Sequence, residues 1–391
     1  MITVEEALAR VLVLAGRLPE EAVPLAQAAG RSMTRPAIAR RDQPPFPAAA
    51  MDGYALADPA RPGDRFAVIG MAAAGHVFEG SVGAGQAVRI FTGAPVPAGA
   101  SRIIIQEDVD AQDGTILLKD GLDSGTHIRP MGQDFRAGDS LPPRRLRAND
   151  LALLAAMNLP EVTVARRPVV ALIATGDELV MPGENPRADQ IIASNAFALK
   201  AMIEAEGAEA RLLPIARDTE ADLTTVLALA EGADLVVTIG GASVGDHDLV
   251  ARVAERLGME RAFYKIAMRP GKPLMAGRLR GMPMLGLPGN PVSAIVCGHL
   301  FLLPMLRAMQ GLPAAPVLRR AVLAEAVAAN GPRTHYMRAR LSAGPGLPGI
   351  AAFERQDSAL LRILTEADAL LIRPMGDPAR AAGDEVDYLP L

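Results

Sequence analysis

Val169-Val170-Ala171-Leu172-Ile173-Ala174 is a continuous apolar hexapeptide, and Thr175-Gly176-Asp177-Glu178 follows it directly. An unbroken run of this kind is what a strand covered on both faces requires, because neither face meets water. Asp234-Leu235-Val236-Val237-Thr238-Ile239 repeats the pattern and runs into Gly240-Gly241. Leu212 to Ala216 reads as a further strand. Helical periods fill the intervals. One runs from near Ser194 to Gly207, with Phe197, Ala201 and Glu204 on successive turns. A second spans Ala221 to Glu231 and stops at Gly232, and a third lies near Asp248 to Leu257. Asn290 as N-cap and Pro291 at the first helical position open a long helix toward Gln310, with Gly311 after it. Strand–helix alternation from 168 to 311 predicts a doubly wound α/β domain.

The flanks differ in texture. Thr3 and Glu6 have capping-box spacing, and Val4, Leu8, Val11, Leu12 and Ala15 recur at helical intervals, so the chain opens with an amphipathic helix. Short alternating stretches such as Arg65–Ile69 and Ser101–Ile105, separated by Gly-rich turns, predict a small β domain. A helix from Asn149 or Asp150 to Asn158 ends before Pro160. Beyond Pro316 the pattern returns to short strands, at His335–Leu341, Gly349–Phe353, Ala369–Ile372 and Glu385–Leu389, as in a small barrel or sandwich.

Composition narrows the function. Half of the 391 residues are hydrophobic, so a large core can be buried. Forty basic against 44 acidic residues leave a net charge of -4, which argues against a nucleic-acid coat or a polybasic membrane anchor. Aromatics are 3% with no Trp, too few for stacking platforms for single strands. The one cysteine, Cys297, excludes a disulfide framework and fits a reducing compartment. Acidic residues in Met1-Ile2-Thr3-Val4-Glu5-Glu6 are unlike a signal peptide. The uncharged run between Arg280 and Arg307 is interrupted by Pro283, Pro288, Pro291 and Pro304. A soluble, cytoplasmic protein is expected, with no nucleic-acid or membrane partner.

In an open parallel sheet, ligands bind beyond the carboxyl ends of the strands. Those ends carry Thr175-Gly176-Asp177-Glu178, Arg217-Asp218-Thr219, Gly240-Gly241-Ala242-Ser243-Val244-Gly245-Asp246-His247-Asp248 and Gly286-Leu287-Pro288-Gly289-Asn290-Pro291. Gly240, Gly241, Ser243 and Gly245 offer unobstructed backbone N–H groups before a helix, a cradle for phosphate, though an ordinary Gly-rich turn has the same composition. Asp177, Glu178, Asp218, Asp246 and Asp248 would repel a phosphate unless a divalent cation, Mg²⁺ by its preference for oxygen, lay among them. Helix capping accounts for any one of them alone. From Arg261 to Arg280 six basic residues and no acid occur, including Lys265, Arg269 and Lys272. That strip is either a solvated face or an anion site on the rigid Arg269-Pro270-Gly271-Lys272-Pro273 turn. His247 has no second histidine spaced to complete a zinc site, and Cys297 reads as core.

Taken in order, Pro44-Pro45-Phe46, Met51-Asp52-Gly53-Tyr54-Ala55, Phe91-Thr92-Gly93-Ala94-Pro95-Val96-Pro97, Ala174-Thr175-Gly176-Asp177-Glu178, the Gly240–Asp248 string, Met268-Arg269-Pro270-Gly271-Lys272-Pro273 and Gly286–Pro291 resemble the MoeA/gephyrin E-domain family. The likeness spans the whole chain. It implies a central MogA-like α/β domain at 168–314 with a small β domain at 41–129. It also implies an elongated helical linker domain of 1–40 with 130–167, and a C-terminal β-barrel at 315–391. The implied activity is that of a molybdopterin molybdenumtransferase: adenylylated molybdopterin and molybdate give molybdenum cofactor with release of AMP, in a Mg²⁺-dependent step. Such proteins are homodimers whose site joins the α/β domain of one subunit to the β domain of the other, and other cofactor-biosynthesis proteins are possible partners. Carried over by motif, Asp52 and Thr92 come from the β domain. Glu178, Asp218, Asp248, Lys265, Arg269, Pro288 and Pro291 come from the α/β domain. Glu178, Asp218 and Asp248 would hold the metal, and Lys265, Arg269 and Lys272 would neutralise phosphate and molybdate. The MDGYA match is the only support for Asp52. Ala49, Ser101, Arg269 and Asp357 stand where the family pattern has Ser, Asp, Lys and Gly. An adenylyltransferase consuming ATP and bare molybdopterin, or a non-catalytic molybdopterin-binding scaffold, are the alternatives.

Overall fold

A computed structural model describes residues 1–241, 249–344 and 346–391. The contacts divide it into two units. The first comprises Met1–Glu21, Gly30–Thr34 and Val164–Leu391, and the second Ala22–Ala29 and Arg35–Thr163.

The first unit is built on a six-stranded sheet of β1 (Val169–Ala174), β2 (Glu209–Leu212), β3 (Leu235–Ile239), β4 (Met259–Tyr264), β5 (Met275–Leu279) and β6 (Met282–Leu287). Their order is β2-β1-β3-β6-β5-β4, parallel from β2 to β6, with β5 and β4 added antiparallel. Every residue of β1 and of β3 is buried. Alternate residues feed opposite cores. Val170, Leu172, Leu235 and Val237 join one, packed under α1 (Asn195–Ala205) and α4 (Pro291–Cys297). Ala171, Ile173 and Val236 join the other, under α2 (Glu220–Ala228) and α3 (Leu249–Arg256). Two cores on two faces make the sheet doubly wound.

The edge strand differs from the expected Leu212–Ala216. The regular ladder ends at Leu212, and beyond it the Leu213 N–H still donates to the Leu172 carbonyl at 2.9 Å and the isolated bridge Thr175↔Ala216 resumes the pairing. Pro214 has no N–H to donate to a ladder, which accounts for the stop. The helix opened by Pro291 continues through a π turn at Gly298–Leu302 into Leu303–Met309. Among the described residues, Pro291–Met309 is the one helix long and apolar enough to cross a membrane, and 78% of it is buried inside the protein. It is a core helix here.

The opening helix, Val4–Leu14, turns Val4, Ala7, Val11 and Leu14 into the same core as α1 and α4. Its Thr3 hydroxyl accepts the Glu6 N–H at 3.1 Å. Residues 1–21 therefore group with the α/β sheet, whereas within the second unit Ala37–Ile38 pairs with Ser140–Leu141. The apolar stripe of the helix is buried against the helices that cover the sheet.

Residues from 319 onward close into a five-stranded barrel of Arg319–Leu323, Thr334–Ser342, Gly349–Ala352, Ala369–Arg373 and Glu385–Pro390. Met268–Arg269 adds to it, parallel to Thr334 and His335. The second unit carries its own six-stranded sheet, in which Gly53–Leu56 lies between Arg102–Ile105 and Gln86–Ile90.

Candidate functional site

At the carboxyl ends of β1, β3 and β6 a cleft of about 760 Å³ opens. Six of the residues expected to act line it: Glu178, Asp218, Gly240, Gly241, Pro288 and Pro291. Ser243, Gly245 and Asp248, expected on the same wall, lie outside the described residues, as do Asp246 and His247.

Backbone pairing sets the floor. The Thr175 N–H donates to the Ile239 carbonyl at 2.9 Å, and the Gly240 N–H to the Leu287 carbonyl at 3.0 Å. Gly240 has φ +95°, and a Cβ there would fall 2.7 Å from the Thr175 carbonyl oxygen, so only glycine lets the chain leave β3 this way.

The acidic loops are held by an arginine. Arg217 Nη1 donates to the carbonyls of Asp177 at 3.0 Å and Leu179 at 3.1 Å, binding the loop after β1 to the loop before α2. Asp177 accepts the Asp218 N–H at 3.1 Å, and Asp222 accepts the Arg217 N–H at 2.5 Å. Asp177 and Asp222 are thus structural. Glu178 and Asp218 are exposed on the cleft wall, and neither carboxylate has a partner among the described residues.

Two unpartnered carboxylates suit a hard cation. Mg²⁺ is ordinarily held by one or two carboxylates with substrate phosphates and water rather than by an all-protein cage. No group of three or more His, Cys, Asp or Glu residues placed to hold a metal ion by themselves occurs among the described residues. Glu178 and Asp218 fit that role.

The cationic strip is divided by the fold. Arg261 pairs with Glu255 at 2.9 Å. Arg278 donates to the Leu14 carbonyl at 3.0 Å, capping the opening helix, and Arg280 to the Leu257 carbonyl at 3.3 Å. These three serve the fold. Lys265, Arg269 and Lys272 do not line the cleft; of their segment only Pro273 does. Lys265 has φ +73° with Nζ 5.1 Å from the Tyr264 ring centroid. Arg269 pairs in register with His335 of the barrel. Burial first, then Arg269, Arg338, Arg333 and Arg373, pushes His335 down to about 4. Burial and the neighbouring arginines thus disfavour a charged His335, and one of those arginines, Arg373, is itself paired with Asp377 at 2.6 Å.

Sequence reasoning missed several lining groups. Arg252 of α3 is the basic side chain on the cleft wall among the described residues. Asn195 Nδ2 donates to the Gly289 carbonyl at 2.7 Å, tying α1 to the turn before α4. Asn290, on a strand end already expected to meet ligand, caps α4 by position without a side-chain hydrogen bond and lines the cleft. A charged or amide residue in mid-helix or in a turn carries no signal of the wall it faces, so periodicity could not find these.

In the second unit Asp52 and Thr92 meet. Asp52 Oδ1 accepts both the Thr92 N–H and the Thr92 hydroxyl, each at 2.7 Å. The sheet explains why: Gly53 opposes Ile90 in antiparallel register, so the residue before one strand faces the residues after the other. A Cβ on Gly53 would lie 2.0 Å from the Ile104 carbonyl oxygen, so the MDGYA glycine is demanded by close strand packing. The Thr92 backbone hydrogen bond, then its hydroxyl, holds the Asp52 carboxyl below the usual carboxylate range. A second hollow of about 550 Å³ lies in this unit, lined by Pro44, Pro45, Phe46, Gly93, Arg129 and Asp134 among others.

Three family profiles match the chain: the MoeA N-terminal region (domain I and II) over residues 2–158, a probable molybdopterin binding domain over 171–308, and the MoeA C-terminal region (domain IV) over 320–391. A molybdopterin molybdenumtransferase of Nostoc sp. is 33% identical over 386 residues, covering 95% of this chain and 88% of that protein. One from Haemophilus influenzae is 36% identical over 321 residues, covering 80% of this chain and 78% of that protein. The crystal structure of a molybdopterin biosynthesis MoeA protein from Pyrococcus horikosii superposes with a TM-score of 0.82 at 31% identity, over 100% of this chain and 99% of that one.

Proposed function

This chain belongs to the MoeA family of molybdopterin molybdenumtransferases and is a transferase of molybdenum cofactor biosynthesis, and from that premise we propose how its own residues carry the reaction. The substrate is adenylylated molybdopterin, the co-substrate molybdate, and the products are molybdenum cofactor and AMP. Water attacks the pyrophosphate link, so that AMP leaves and the pterin keeps its phosphate, while the two dithiolene sulfurs replace one oxo ligand of molybdate, which leaves as water with the two thiol protons. The observation that carries this reading is the pair of unpartnered carboxylates, Glu178 and Asp218, on a cleft whose floor is the glycine turn at Gly240–Gly241.

Glu178 and Asp218, with Asp248, would hold Mg²⁺, which when bound neutralises phosphate oxygens and lowers the cost of charge on the leaving group. The remaining roles belong to the chain. Gly241, with Ser243 and Gly245, would cradle phosphate by backbone N–H groups, whereas the Gly240 N–H is taken by the Leu287 carbonyl and Gly240 serves the turn instead. Pro288 and Pro291 hold rigid the turn that forms the facing wall. Arg252 adds positive charge inside the cleft, and Lys265, Arg269 and Lys272 attract the oxyanions from outside its lining. Asp52, kept ionised by Thr92, orients a water or a substrate hydroxyl. The protein works as a homodimer, in the cytoplasm, and passes its product to other cofactor-handling proteins.

The test is purified protein with adenylylated molybdopterin, Mg²⁺ and molybdate. AMP release that depends on both ions supports the reading. Ligand binding without release supports a scaffold, and consumption of ATP with bare molybdopterin supports an adenylyltransferase.

A further inference from the structure

Arg89 stands directly opposite Tyr54 in the antiparallel pairing of Gln86–Ile90 with Gly53–Leu56. Its guanidinium carbon lies 4.9 Å from the Tyr54 ring centroid and 4.8 Å from that of Phe91. The two rings belong to the two segments that carry Asp52 and Thr92, one in Met51–Ala55 and the other in Phe91–Pro97. Arg89 Nη1 also donates to the Gly53 carbonyl at 3.1 Å, and Nη2 to Gln106 Oε1 at 2.7 Å. The Gln106 N–H in turn donates to the Asp52 carbonyl at 3.1 Å. One planar cation therefore contacts both segments, reaching the Gly53 carbonyl directly and the Asp52 carbonyl through Gln106.

We propose that Arg89 is a positioning residue for turnover: in contact with the rings of both Tyr54 and Phe91, it locks the two segments together so that the Asp52 carboxylate stays on Thr92. This rests on the reading that Asp52 acts in the reaction. The geometry needs arginine in particular. A guanidinium can lie over aromatic rings while its N–H groups donate to Gly53 and Gln106. A lysine ammonium keeps the charge but not the planar fork that makes both kinds of contact at once. A residue that positions a reacting group from one layer away costs rate when it is lost, because small displacements of that group are expensive. Arg89 is also among the groups that hold the Asp52 carboxyl down, after the two Thr92 hydrogen bonds.

The experiment is a double-mutant cycle read by AMP release and by thermal melting, on Asp52→Asn, Arg89→Met, Arg89→Lys and the Asp52→Asn/Arg89→Met pair. Arg89→Met is expected to lower kcat by about tenfold or more with KM little changed. Arg89→Lys should recover part of that loss. In the Asp52→Asn background Arg89→Met should cost nothing further, since the group it positions is gone. Equal losses in both backgrounds, or a loss that tracks only the unfolded fraction, would overturn the proposal. Activity lost in Asp52→Asn but kept in Arg89→Met overturns the proposal alone. Full activity in Asp52→Asn removes the underlying reading of Asp52, and the proposal with it.

Discussion

One carboxylate oxygen of Asp52 receives both donors of Thr92, the backbone N–H and the hydroxyl, at 2.7 Å each. Thr92→Val deletes the hydroxyl bond and keeps the backbone one. The wild-type carboxyl is held low by these bonds, so it stays ionised as the pH falls. Losing one bond raises it, and the acid limb of the kcat/KM profile for AMP release moves to higher pH. An unmoved limb contradicts a working role for an ionised Asp52.

Glu178→Gln and Asp218→Asn remove carboxylates that satisfy no other group among the described residues. Each should raise the Mg²⁺ concentration for half-maximal rate by about tenfold while the melting temperature holds, since an exposed carboxylate without a partner adds little to stability. Asp222→Ala should behave oppositely. Its carboxylate accepts the Arg217 N–H at 2.5 Å, so its loss costs about 1 kcal/mol of stability and leaves the Mg²⁺ dependence alone. Calorimetric Mg²⁺ titration and thermal melts separate the two classes.

Arg252→Gln takes the positive charge off the cleft wall. A charge that binds substrate and transition state alike alters KM rather than kcat. KM for adenylylated molybdopterin should therefore rise about tenfold with kcat within about twofold. A fall in kcat at constant KM would instead place Arg252 in the chemical step.

His299, largely buried beside Arg307, is pushed down to about 4, by burial first and then by Arg307, with Glu206 opposing. Between the ordinary histidine value and 4, the unfolded chain binds a proton that the folded chain does not. Stability from this residue is therefore complete above about pH 6.5 and falls as the pH drops toward 4, by at most about 3 kcal/mol. His299→Gln should flatten the slope of melting temperature against pH in that window. An unchanged slope would mean that His299 protonates freely in the fold.

Much of this was legible in the residues alone. The apolar runs at Val169–Ala174 and Leu235–Ile239 announced strands covered on both faces, and loaded strand ends at Glu178, Asp218 and Gly240 announced the cleft. Closure of the barrel was not legible, because pairing of Thr334–Ser342 with both Gly349–Ala352 and Ala369–Arg373 depends on contacts distant in sequence. Nor was the fate of the basic strip. Arg261, Arg278 and Arg280 look like Lys265 and Lys272 in a charge count, yet they serve an ion pair or carbonyl oxygens of distant loops and helix ends. Asp52 was reachable only through resemblance; its contact with Thr92 arises from a strand register that no local pattern encodes.

In the proposed reaction the carboxylate cleft couples loss of AMP to uptake of molybdenum. The direct measurement follows both products in one reaction, AMP by chromatography and protein-bound or pterin-bound molybdenum by mass spectrometry, over a range of molybdate concentrations at saturating Mg²⁺. AMP and inserted molybdenum are expected in equal amounts, and both should vanish together in Asp218→Asn. AMP released without molybdenum taken up, or a wild-type yield retained in Asp218→Asn, would contradict it.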